Sequence, residues 1–455
     1  QFTGKASLPA NKKFASAMGE VRQWLVAAQL GSAMLSAVSD VGFQQITAAV
    51  NGLPGWRVAA RHLALMNPRN AADRETAIAL GLIADEASQI ASAQQRHYGE
   101  AWGSGLAQRF ADGVLKVSGL SAWTQAGRWA FGMEFLALLG RNSDTAFDAL
   151  HPKLRATLEG YGFDGGHWDG MRGAIEDRGG ARFLNPVKVA DEKLGQRLGA
   201  MIRSETNFAV PTVTLYGKGV FAGQARPGTI TGELTRSFMM YKNFGVTLVM
   251  THGRRMAMQS SWKGKIGYGG ALIGTATMLG AVSLQLKEIS KGKDPLPMMD
   301  QKFLLAAMYQ GGGFGIFGDF IFSDVNRFGG GLADTFAGPV AGAASDLLGM
   351  GMTLKDASWR AAGLPYNRDD PEPNPGGQLT RLLERYTPGG SLWYLRLAYQ
   401  RAVLDQLGQV ADPNWNDRAS RMERAARDKG QGFWWRPGRG PERLPNLGNV
   451  APDAP

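Results

Sequence analysis

Apolar positions recur every three to four residues over most of this chain, and that spacing predicts helices before any other structure. Residues 14–50, FASAMGEVRQWLVAAQLGSAMLSAVSDVGFQQITAAV, are dense in Ala, Leu, Met and Gln and hold no proline, so they are expected to be helical throughout. A further long helix is expected over NPRNAADRETAIALGLIADEASQIASAQQRHYGEAW, with Asn70 or Asp73 as its cap and acids in its opening turns. GVLKVSGLSAWTQAGRWAFGMEFLALLG extends the pattern to a stop at Gly140. From about 141 to 185, Gly-Gly and Pro signals cut it into connectors and small helices. Helix resumes after that and breaks at Pro211; strand character is strongest, and brief, in VPTVTLYGKGVF. The expected fold is mainly α: an elongated multi-helix assembly with a Gly-rich apolar second half and little or no sheet.

That second half holds long windows without charge. Residues 266–286 are 21 consecutive uncharged positions, bracketed by Lys263, Lys265 and Lys287. As a helix they would reach about 31 Å, close to a bilayer core of roughly 30 Å. Gly270 and Gly274 are four apart, as are Ala276 and Gly280, a small-residue face that lets helix backbones approach closely. Gly267, Thr275, Thr277, Ser283 and Gln285 make the segment too polar for a lone anchor, so it is expected to be one wall of an assembly. Residues 303–318 form a second uncharged window carrying Phe303, Phe314 and Phe317, interrupted at Gly311 to Gly313. Two readings stand for it. One is a glycine-lined packing seam in a soluble protein; the other is a seam that meets lipid, with Asp319, Asp324 and Asp334 turned to water or a partner. The uncharged stretch between Arg22 and Asp40 divides in the same way, between a helix buried in a bundle and a membrane-active one.

Composition adds limits. The chain has 455 residues, a formal charge of +11, 62 glycines and no cysteine. Disulfides, thiolate metal sites and cysteine nucleophiles are excluded, and attraction to polyanions is expected. Opening on Gln1 with no apolar signal core, the sequence is expected to be part of something longer. Texture divides it into a helical region (1–140), a central helical region with connectors (141–260), a Gly-rich apolar region (261–355), a Pro-rich linker (356–377), C-terminal helices (378–430) and a basic, aromatic tail (431–455). Across the last two, Arg421, Arg424 and Arg427 recur every three residues, and Trp434, Trp435 and Arg436 interleave aromatic with basic character. Such residues suit docking to a neighbouring subunit or contact with nucleic acid.

Catalytic patterns are scarce. His62, His97, His151, His167 and His252 lack the spacing of a zinc helix, and there is no phosphate loop or dinucleotide fingerprint. Glu205, beside Ser204, is the one carboxylate weighed as a murein-cleaving acid, but the glycine and aromatic motifs of such enzymes are missing around it. No catalytic, cofactor-binding or metal-binding residue, and no cofactor, is expected.

The block TITGELTRSFMMYKNFGVTLVMTHGRRMAMQ combines Gly-Glu, Arg-Ser-aromatic, Lys-Asn-Phe, then His and Arg. It resembles a segment near the carboxyl end of the large internal virion proteins of short-tailed bacteriophages, the DNA ejection proteins. RQWLVAAQLGSAMLSAVSDVGFQ, GDFIFSDVNRFGGGLADTFAGPVAGAASDLL and RYTPGGSLWYLRLAYQRAVLDQL extend the resemblance over most of the chain. It implies a protein packed in the virion near the portal and expelled to help form a conduit for the genome across the host envelope. The implied partners are further copies of the chain, other ejection proteins, the portal and tail, genomic DNA bound without sequence preference, and the host membrane after ejection. It also implies that any lytic transglycosylase activity lies outside this segment. The alternative is a soluble accessory domain of a murein-degrading virion enzyme.

Overall fold

The computed structural model describes residues 8–82, 105–211, 226–240, 243–259, 261–311, 332–364 and 372–450. The fold is mainly α, 71% helix with 3% strand. The expected helix over residues 14–50 is broken. Helix α1 (Lys12–Gln29), capped by Asn11, gives way to a 3-10 turn, a short helix at Ala33–Ala37 and then α2 (Asp40–Val50). Helix α3 (Gly55–Met66) precedes α4 (Ala71–Ala79), where Asn70 caps by accepting from the Asp73 amide. The rest of that long expected helix, residues 83–104, lies outside the described residues. The pattern expected to run unbroken to Gly140 is two helices, α5 (Gly105–Val117) and α6 (Leu120–Arg141), parted at Gly119 with φ +84°, a left-handed conformation that glycine adopts without strain.

Helix α6 is the centre of the larger core. Its Trp129, Phe131, Met133, Phe135, Leu136 and Leu139 are buried among side chains from α7 (Pro152–Gly160), α8 (Gly165–Met171) and α9 (Glu192–Ala209). The helix is enclosed on nearly every side, which its apolar majority favours, and its two enclosed charges are met: Glu134 pairs with Arg61 at 2.6 Å and Arg128 donates to Asn207 at 3.0 Å. The described sheet lies elsewhere than the sequence suggested. Strands β1 (Ile175–Arg178) and β2 (Ala181–Leu184) pair antiparallel around Gly179 and Gly180, both at positive φ, the two-residue turn whose twist suits a hairpin. The stretch expected to be strand falls mostly in 212–225, outside the described residues.

The block from Thr229 is helical in pieces. Helix α10 (Ile230–Met239) stops at Met240, and a second piece, Asn243–Leu248, runs through a π turn at Val249–Gly253 into Arg254–Ala257. Glu233 in the first turn of α10 is fully enclosed; it accepts from the Gly228 amide and pairs with Arg22 of α1 at 2.7 Å.

Beyond these come α11 (Trp262–Ile289), α12 (Gln301–Gln310), α13 (Leu332–Ala361), α14 (Pro375–Tyr386), α15 (Asp405–Ala411) and α16 (Trp415–Arg427). Helix α13 runs straight through the boundary drawn after residue 355. The far end of the Pro-rich stretch is a helix start, because Asn374 caps α14 by accepting from the Gly377 amide and donates to Asp412.

Three segments remote from one another in the chain converge in space. Gly389 donates to the Ala27 carbonyl, Gly31 donates to Ser391 Oγ, and Trp24 Nε1 donates to the Tyr386 carbonyl. A side chain at Gly31 would bring its Cβ to 2.5 Å from the Leu392 nitrogen. Asp346 of α13 joins them by pairing with Arg385 and accepting from the Tyr386 hydroxyl.

Candidate assembly and membrane-contact surface

Helix α11 is set by local chemistry at both ends. Ser261 caps it by accepting from the Gly264 amide, and it closes just before Gly292, at φ +81°. Its partner α12, capped by Asp300, returns alongside it and ends at Gly311. The seam between them is built from small residues. A Cβ on Gly280 would sit 2.1 Å from the Ala307 carbonyl oxygen, and one on Gly311 would sit 1.7 Å from that of Ala276. Ala276, Gly280, Ala307 and Gly311 thus let the two backbones touch, and Phe303 is buried beside them.

Gly270 and Gly274 are placed differently. Both are exposed, with nothing within 4 Å of where a Cβ would stand, so among the described residues they form no helix contact. Phe314 and Phe317 lie outside the described residues. A substitution pair separates the two kinds of glycine. Gly280→Leu is expected to destabilise the fold by about 3 kcal/mol through overpacking, whereas Gly274→Leu should be neutral or stabilising by about 0.5–1 kcal/mol from lost backbone freedom. Urea denaturation of both variants checks the contrast.

Among the described residues, α11 keeps apolar side chains open on two sides, Trp262, Ile266 and Ile273 on one and Met278, Val282 and Leu286 on the other. Trp262 is 74% exposed and Met278 71%. Among the described residues this is the one unbroken helix long and apolar enough to cross a membrane, and only 22% of its most apolar window is buried. The bent pair Lys12–Ala37 and Asp40–Val50, at 43°, has the length and apolarity too. There, however, Leu25, Val26, Ala27, Phe43 and Ile46 are buried in the core. A second uncovered surface follows on α13, where Leu347, Leu348, Met352 and Trp359 are exposed.

Helix α11 is pinned to the body near both ends. At the first, the Tyr268 hydroxyl donates to His252 Nδ1 at 2.7 Å, while His252 Nε2 donates to the Phe208 carbonyl at 2.8 Å. Burial first, and the nearby Arg255 charge, push the His252 imidazolium down to about pKa 4, so the ring is neutral. At the other end the tail folds back: Trp434 donates its Nε1 to the Ile289 carbonyl, and the amides of Trp434 and Trp435 both reach the Gly292 carbonyl. Trp435 Nε1 donates to the Arg439 carbonyl and Arg436 pairs with Glu442. The tail aromatics therefore make intramolecular contacts. Arg421, Arg424 and Arg427 are exposed along α16, with Arg427 only loosely paired to Glu423 at 4.0 Å.

Glu205 is the centre of a buried polar network. At 0% exposure it accepts from Arg255 Nη2 with both oxygens at 2.7 Å, from Asn51 Nδ2 at 2.6 Å and from the Tyr161 hydroxyl at 2.9 Å. The Tyr161 hydroxyl also lies 2.7 Å from Ser204 Oγ. Burial and the adjacent Glu205 charge hold the phenol well above its ordinary range, so it remains a donor. Arg255 in turn lies over the Phe208 ring. Every contact of the carboxylate is a donor built into the core, and the arrangement ties the end of α2, the end of α7, α9 and the segment before α11 together. Asn51, Tyr161 and Arg255 carried no pattern that sequence reasoning could have joined to Glu205. Among the described residues no cluster of His, Asp and Glu could hold a metal ion. No protein family, characterised protein or solved structure matches the chain.

Proposed function

We propose that this chain is a subunit of a helical, many-copy assembly of the phage ejection-protein kind, carried in the virion near the portal and forming part of a genome conduit in the host envelope. The observation that carries the reading is the uncovered apolar surface of α11, a helix of spanning length whose inner face is already satisfied by α12. In water that surface favours association or lipid contact, since its burial would contribute roughly 25 cal/mol per Å². The exposed side of α13 offers a second contact for copies of the chain or for other virion proteins. Arg421, Arg424 and Arg427 suit the portal or the phosphates of passing DNA, which they would meet without reading sequence. The driving force is packing and desolvation, with no bond chemistry assigned to the chain.

Flotation and dye release with liposomes of anionic phospholipid test this reading. The wild-type chain is expected to float and to release dye. Ile273→Lys/Met278→Lys, placed on exposed positions so that the fold is kept, should do neither, because each charge opposes entry into hydrocarbon. A wild-type chain that stays monomeric and sediments away from lipid would overturn the proposal.

A further inference from the structure

A cavity of about 440 Å³ lies between α6 and α9, within the roughly 300–1,000 Å³ span of small-molecule sites. Neither the α11 surface nor the Glu205 network uses it. One stripe of α9, from Glu192 through Gly195, Gly199, Ile202 and Arg203 to Thr206, makes one wall; Arg128, Trp129 and Leu136 of α6 face it. Leu80, Leu82, Pro186 and Val187 complete the lining. The helices run antiparallel, since Arg128 near the start of α6 donates to Asn207 near the end of α9. Arg128, Arg203 and Thr206 consequently share one end of the trough, while Leu136, Val187 and Gly195 share the other.

The two ends differ in chemistry. At the arginine end, Trp129 Nε1 and Thr206 Oγ1 are buried with no hydrogen-bond partner among the described residues, on residues 7% and 5% exposed. Leaving such buried polar groups unmet is unfavourable, and a ligand with acceptor oxygens can satisfy them. The opposite end is aliphatic. Glu192, the acid on the lining, is about three helical turns from Arg203, roughly 16 Å away, and so does not oppose a negative head there. We propose that this trough binds a single-chain anionic amphiphile, its acidic head between Arg128 and Arg203 and its apolar tail along Leu136, Val187 and Ile202.

Gly199 supplies the test. A Cβ there would meet only Arg203 Nη1 at 3.9 Å and Pro186 Cβ at 4.0 Å, so Gly199→Leu can fill the trough without striking backbone. The intact chain is titrated calorimetrically with dodecanoate and with dodecyl phosphate, each below its micelle-forming concentration. Saturable binding is expected, with the tighter arm telling a carboxylate from a phosphate head. Gly199→Leu should abolish it, with far-UV dichroism unchanged. Arg203→Ala, at an exposed position independent of the core, should weaken dodecanoate about fivefold and leave dodecanol unaffected. Absence of saturable binding in both arms, equal dodecanoate affinity in Arg203→Ala, or wild-type affinity in Gly199→Leu overturns the proposal.

Discussion

Replacing Glu205 by alanine is expected to destabilise the chain by about 4 kcal/mol, the scale for breaking a buried ion pair from one side. The loss comes less from the missing attraction than from what stays behind. Arg255, 13% exposed at its side chain, would keep its charge in the core with no carboxylate opposite, and Asn51 and Tyr161 would each lose an acceptor. Equilibrium urea denaturation measures the effect, and adding Arg255→Met to the variant should recover part of it by removing the stranded charge. A loss below about 1 kcal/mol, the scale of an ordinary substitution, would refute the structural role. Should Glu205→Ala fold normally and lose a murein-cleaving activity of the wild type, the carboxylate would instead be a catalytic acid.

Acid is expected to weaken the fold in a window set by two histidines. His62 donates from Nε2 to the Trp123 carbonyl at 3.0 Å, and burial lowers its imidazolium to about pKa 4; His252 is lowered to the same value between Phe208 and Tyr268. In the unfolded chain both take a proton near the ordinary pKa of about 6.5. Between roughly pH 6.5 and 4 the unfolded state therefore binds more protons than the folded one, and stability falls with falling pH. Each ring contributes about 3 kcal/mol that is present in full above the upper limit and gone at the lower one. Carboxylates act further down: Glu176, held near pKa 2 first by the Asn185 amide and then by Arg178, loses its contribution only as pH drops below the ordinary glutamate range of about 4.3. Urea midpoints at pH 7.5 and 4.5 should differ strongly for the wild type and far less for His62→Gln/His252→Gln, in which the amide nitrogen replaces Nε2 as donor. An unchanged pH slope in that double variant would exclude both rings as the cause.

His252 also shows how unevenly the site could be read. As one of five scattered histidines it carried no metal or catalytic spacing, and nothing in its neighbours indicated that it would bear on Tyr268 of the apolar helix. The uncharged length of that helix was plain, as was its content of small residues. Yet Gly274 and Gly280 are equivalent as letters, and one faces open space while the other lies against a carbonyl oxygen. Rotation of the helix about its axis decides between them, and α12 sets that rotation. Trp434 and Trp435 are expected from the sequence to meet a neighbouring subunit or nucleic acid; in the fold their indole and backbone N–H groups bond Ile289, Gly292 and Arg439 within the chain. Glu233 and Arg22 stood as charges on separate helices, and only the meeting of α1 with α10 makes them a buried pair.

By itself the sequence determined what is local: helical periodicity, a helix start at Asn70 or Asp73, a helix end at Gly311, and one charge-free stretch as long as a bilayer core is thick. These follow from backbone preference and from spacing along a single element, which neighbouring residues control. Tertiary structure alone decided which glycines touch, which charges are enclosed, and which apolar faces stay uncovered among the described residues. Those outcomes depend on contacts between segments remote in the chain, and the energy of such a contact is defined only once both sides are in place.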